Sequence, residues 1–92
     1  MKFSFVEKPD TAVITCSHIL EHKDPILFVS HDEDDGMWQF LCGADHDISD
    51  ARVISLKEVF LLDRTIEVLA KMPQGCTATR SSLCDEWKIE QR

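Results

Sequence analysis

Ile26-Leu27-Phe28-Val29-Ser30 is apolar on both of its alternating faces, and a strand of that kind must be covered from two sides. The next six residues are polar and end in Asp35-Gly36, a pair suited to the positive φ of a tight reversal. Met37-Trp38-Gln39-Phe40-Leu41-Cys42 then returns as the partner strand, with Trp38, Phe40 and Cys42 on one side of it, and Gly43 breaks it. A hairpin whose first strand is apolar on both faces cannot be stable alone. It has to lie centrally in a larger sheet with another layer packed on it.

The flanking segments supply those neighbours. Ala12-Val13-Ile14-Thr15-Cys16 is a compact β-branched run and reads as a strand. Ser17 is placed to cap the turn that follows, and Pro25 limits any helix over residues 17–23 to two turns. Arg52-Val53-Ile54 reads as a short strand leading into the clearest helix start in the chain. There Ser55-Leu56-Lys57-Glu58 fits a capping box, in which the Ser55 hydroxyl and the Glu58 carboxylate each satisfy an otherwise orphan backbone N–H. Val59, Leu62, Ile66 and Leu69 recur at helical spacing and predict one buried stripe. Asp63 is able to re-cap, so residues 56–71 read as one kinked helix or two short ones, ended by Pro73-Gln74-Gly75. Residues 76–80 lean to strand, Trp87-Lys88-Ile89 can add a last one, and Lys2 to Val6 suggests an edge strand or arm. The whole is one α+β domain over residues 1–92, with a mainly antiparallel sheet and a helical layer on one face.

The charge is uneven. Between Asp24 and Ala51 stand eight carboxylates (Asp24, Asp32, Glu33, Asp34, Asp35, Asp45, Asp47 and Asp50) and no Lys or Arg. Of the 17 acids in the chain that leaves nine, against ten bases, for all the other residues, so the net charge of −7 is local in origin. Such a concentration repels nucleic acid and anionic membranes and attracts basic proteins or cations. Asp32, Glu33, Asp34, Asp35, Asp45, Asp47 and Asp50 are therefore the candidate partner-binding residues. No run approaches the roughly 20 apolar residues of a membrane span, and Met1 to Lys8 lacks the apolar core of a signal peptide. A cytosolic protein is expected, with Cys16, Cys42, Cys76 and Cys84 as reduced thiols.

Motifs for chemistry are sparse. His18-Ile19-Leu20-Glu21-His22 matches H-x-x-E-H, in which two His one turn apart bind zinc and Glu activates water. Pro25 leaves little helix to hold such ligands, so surface histidines are the expected reading. A Cys/His zinc site with Cys16 would require Cys42 to come in from another strand. Asp32 to Gly36 fails as an EF-hand loop, because the twelfth position would be Cys42 where a carboxylate belongs. With no G-x-S-x-G, phosphate loop or dinucleotide fingerprint, the expectation is no catalytic residue, no metal and no cofactor.

Ala12-Val13-Ile14-Thr15-Cys16-Ser17-His18-Ile19 and Asp34-Asp35-Gly36-Met37-Trp38-Gln39-Phe40-Leu41-Cys42-Gly43 together resemble a bacterial family grouped with the immunity proteins of polymorphic toxin systems, immunity protein 33. Ile54-Ser55-Leu56 and Met72 to Arg80 extend the resemblance over residues 12 to 80. The chain departs from the family pattern at Ala44-Asp45-His46-Asp47, where members carry more acidic residues. The resemblance implies a non-enzymatic protein that neutralises a toxin by occluding it, and it transfers no catalytic residues. Two other classes compete: a small bacterial housekeeping or regulatory domain whose acidity serves solubility, and a zinc-dependent hydrolase built on His18, Glu21 and His22.

Overall fold

A computed structural model describes Phe5 and residues 7–43 and 48–91. Six strands, β1 (Ala12–Cys16), β2 (Phe28–His31), β3 (Trp38–Leu41), β4 (Ala51–Ser55), β5 (Cys76–Thr79) and β6 (Lys88–Gln91), form one sheet in the order β4-β1-β3-β2-β5-β6. Only β1 and β3 pair in parallel, with Ile14 opposite Gln39 and Thr15 opposite Phe40; the other four pairings are antiparallel. The fold is α+β, and β2 lies inside the sheet between β3 and β5 as its two-sided apolarity requires.

Register sorts the side chains. Val13 and Thr15, Trp38 and Phe40, Val29 and His31, and Cys76 and Ala78 share one face, and all eight are buried. The short helix α1 (Ser17–His22), the helix α2 (Leu56–Leu62) and the 3-10 segment Arg64–Leu69 cover that face, adding Ile19, Leu56, Val59, Phe60, Ile66 and Leu69 to the same core. Trp38 is its largest member. Its ring stacks on His31 at 4.0 Å and on Phe40 at 5.8 Å, meets Phe5 edge-on at 5.3 Å, and its Nε1–H donates to Glu7 Oε2 at 2.9 Å. His31 Nδ1 lies 2.8 Å from the Met72 carbonyl, which can only accept, so that nitrogen carries the hydrogen. The Trp38 indole and His31 Nδ1 are thus tied into the layer that buries them, whereas His31 Nε2 is buried without a hydrogen-bond partner among the described residues.

Two local expectations are corrected. Ser17 does not cap α1: the N-cap is Cys16, without a side-chain bond, and the Ser17 hydroxyl instead donates to Asp50 Oδ1 at 3.3 Å. Leu62 does not belong to the buried stripe and is 45% exposed. Asp63 is extended (φ −150°, ψ 99°), so the helix stops at Leu62 and the helical phase is lost across the break; Leu56, Val59 and Phe60 are the residues α2 buries. The polar turn over residues 31–36 is present, and the Asp35-Gly36 pair supplies the expected positive φ. Gly36 alone takes positive φ (72°), and its N–H closes the loop on the Asp32 carbonyl at 3.0 Å. The Ser55–Glu58 capping box likewise has both reciprocal bonds at 3.1 Å, and Asp63 re-caps the 3-10 segment through Thr65 N–H at 2.9 Å. The edge strand expected over Lys2 to Val6 falls, apart from Phe5, outside the described residues.

Candidate functional site: the acidic hairpin loop

The β2–β3 loop owes its shape to its own carboxylates. Asp32 accepts from the Ser30 hydroxyl at 3.1 Å and from the Gln39 amide at 2.7 Å, and its N–H donates to the Met37 carbonyl at 2.8 Å. Asp35 accepts from Met37 N–H at 2.9 Å. These are the local side-chain bonds that make Asp a turn residue. Asp32 and Asp35 thus have structural duties. Glu33 lies against Gly75, where an added Cβ would come within 3.4 Å of its Oε2, and Gly75 itself needs its φ of 86°. Glu33, Asp34 and Asp35 are exposed, and Asp32 is half-buried.

No ion pair among the described residues reaches Glu33, Asp34 or Asp35: the pairs join Glu21 to Arg52 and Asp63 to Arg80, and Glu7 Oε2 lies 3.8 Å from His31 Nε2. Three adjacent carboxylates therefore stand on a loop braced from within, without an ion pair among the described residues to offset them. Beside them lies the face of the sheet opposite the helices. It presents Ile14, Phe28, Gln39 and Thr77 half-buried, and Val53 of the edge strand 69% exposed.

The acidic stretch does not fold into one patch. The loop 32–37 precedes the start of β3, whereas Asp50, in the 3-10 turn Ile48–Asp50, precedes Ala51, which pairs with Cys16 at the end of β1. Because β1 runs parallel to β3, Asp50 is level with the far end of β3. The length of β3, four residues or about 13 Å, separates the two in a molecule 30 × 28 × 26 Å across. Asp45 and Asp47 lie outside the described residues.

The H-x-x-E-H residues do not converge. Glu21 Oε2 turns to Arg52 Nη2 at 3.3 Å, His22 is exposed, and the ring centroids of His18 and His22 are 5.9 Å apart. His18 belongs to a different group. Cys42 comes in from the end of β3, and its Sγ lies 3.5 Å from His18 Nδ1, with Cys16 Sγ completing a cluster whose ligand atoms all lie within 4.8 Å of one another.

No protein-family model, no curated protein and no solved structure matches this chain. No helix among the described residues is long and apolar enough to cross a membrane.

Proposed function

We propose that the protein is a non-enzymatic binding module that takes a basic partner protein at the end of the sheet carrying the β2–β3 loop. The observation that supports this reading is the exposure of Glu33, Asp34 and Asp35 on a loop held by its own hydrogen bonds, with no ion pair among the described residues offsetting them. Uncompensated like charges in one place cost stability, and a fixed loop presents them with little ordering left to do on binding. A basic partner would be steered in by the field, and the half-buried Ile14, which pairs with Gln39 near the loop end of β3, would supply apolar area that such a contact desolvates.

Joined to the resemblance to immunity protein 33, the concrete form of this reading is an inhibitor of a basic toxin such as a nuclease, acting in the bacterial cytoplasm. Asp50 would contribute only to a partner large enough to span the length of β3. The hydrolase alternative draws no support from Glu21, which is engaged by Arg52.

The test is affinity capture from cells of the source organism, with wild type and the Glu33→Gln/Asp34→Asn variant as parallel baits. A basic protein retained by wild type at low salt, released at high salt and poorly retained by the variant is the expected result. Equal retention by both baits at every salt concentration would remove the loop from the interface. A purely solubilising acidity predicts instead that no basic protein is held above background.

A further inference from the structure

We propose that Cys16, His18 and Cys42 form a binding site for a zinc ion at the end of the sheet opposite the acidic loop. This goes beyond the binding reading above and does not depend on it. The three side chains come from three elements: Cys16 ends β1, His18 stands in the first turn of α1, and Cys42 follows β3. Parallel pairing of β1 and β3, with Thr15 opposite Phe40, is what brings residues so far apart in sequence to one spot.

The donor set suits the ion. Two thiolates and one imidazole are soft to borderline ligands, which favour zinc over magnesium or calcium. Zinc–sulfur bonds of about 2.3 Å and zinc–nitrogen bonds of about 2.0 Å, held at tetrahedral angles, place sulfur and nitrogen about 3.5 Å apart and two sulfurs about 3.8 Å apart. Cys42 Sγ and His18 Nδ1 are already at 3.5 Å, and the remaining separations are within 4.8 Å, so closure needs side-chain adjustment of about 1.3 Å at most. Both thiols are buried while His18 is half-buried, which gives a shielded sulfur pair, and a solvent water would complete a site with three protein ligands. An ion there would clamp the junction of β1 and α1 to the end of β3. Each bound zinc displaces the two thiol protons to solvent and makes no other covalent change.

Cobalt(II) titration of the reduced, untagged full chain under a phosphine reductant tests the site. The expected result is one cobalt per chain, with a thiolate-to-cobalt charge-transfer band, the intense visible bands of four-coordinate geometry, and displacement of both by zinc. His18→Ala, at a half-buried position where folding is least at risk, should weaken cobalt binding by at least about tenfold, as loss of a direct ligand must do if outer-shell partners alone are worth 10- to 100-fold. Cys42→Ser should remove about half of the charge-transfer intensity or abolish binding, with circular dichroism confirming that each variant is folded. His22→Ala, which alters an exposed ring outside the cluster, should leave the titration unchanged. Absence of the charge-transfer band in wild type, or a band that persists at full strength in folded His18→Ala and Cys42→Ser, would overturn the proposal and leave a thiol–imidazole contact in its place.

Discussion

Arg80 shows how a single residue joins layers in so small a domain. Its side chain is 1% exposed, and its three nitrogens donate to the Ile26 carbonyl at 3.0 Å, the Thr65 hydroxyl at 3.0 Å and Asp63 Oδ2 at 2.7 Å, while its guanidinium lies 4.1 Å from the centroid of the Trp87 ring. Asp63 also re-caps the 3-10 segment, so one carboxylate serves the cap and the ion pair. Arg80→Ala should destabilise the protein by about 3 to 5 kcal/mol, because the largely buried Asp63 carboxylate loses its counter-charge. Urea denaturation checks this, and a loss below about 1 kcal/mol would mean that solvent already screens the pair. Trp38→Ala should cost about 3 to 5 kcal/mol for a fully buried ring; a variant with an unchanged midpoint would make that ring dispensable to the core. Trp38 is legible as a core residue from the alternation of its strand. Arg80 is not: local pattern cannot reveal that a charged residue at the end of a short strand is buried, because its partners lie 15, 17 and 54 positions away.

The helix beginning at Leu56 is fixed chiefly by its start. Ser55 and Glu58 exchange two bonds across the first turn, and Ser55→Ala should cost about 1 kcal/mol. Glu58→Ala combined with it should cost less than the sum of the two single changes, since the bonds belong to one motif. Denaturation of the double-mutant cycle reads this directly, and strict additivity would mean that the two bonds act independently. The capping box, the hairpin and the short α1 were legible because each is written in adjacent residues: Ser with Glu three positions later, Gly36 at a positive-φ position, Pro25 as a stop. What was not legible is long-range register. The parallel pairing of β1 with β3, the order of six strands, and hence the meeting of Cys16 and His18 with Cys42, depend on contacts between segments that carry no mark of one another. The stripe over Val59, Leu62, Ile66 and Leu69 failed at Leu62 for the related reason that Asp63 resets the helical phase.

At the scale of the whole molecule, the described carboxylates of the acidic stretch are divided between the two ends of the sheet. Sequence places eight carboxylates in one stretch, but β3 carries the chain from one end of the sheet to the other in the middle of it. The loop end holds Glu33, Asp34 and Asp35 exposed, with Asp32 and Asp35 bonded into the loop; the opposite end holds Asp50 bonded to Ser17. Partner binding and folding should therefore separate at Glu33 and Asp34 and not at Asp32. Asp32→Ala removes the acceptor of two side-chain bonds and should cost about 1 to 2 kcal/mol, whereas Glu33→Gln/Asp34→Asn should leave the denaturation midpoint unchanged or slightly raised as like charges are relieved. The decisive measurement is stopped-flow association of the captured basic partner with wild type and with Glu33→Gln/Asp34→Asn across ionic strength. At low salt the variant should associate about tenfold more slowly, with a shallower dependence on salt and unaltered stability. Identical association rates and salt slopes for the two proteins would contradict the acidic-loop interface.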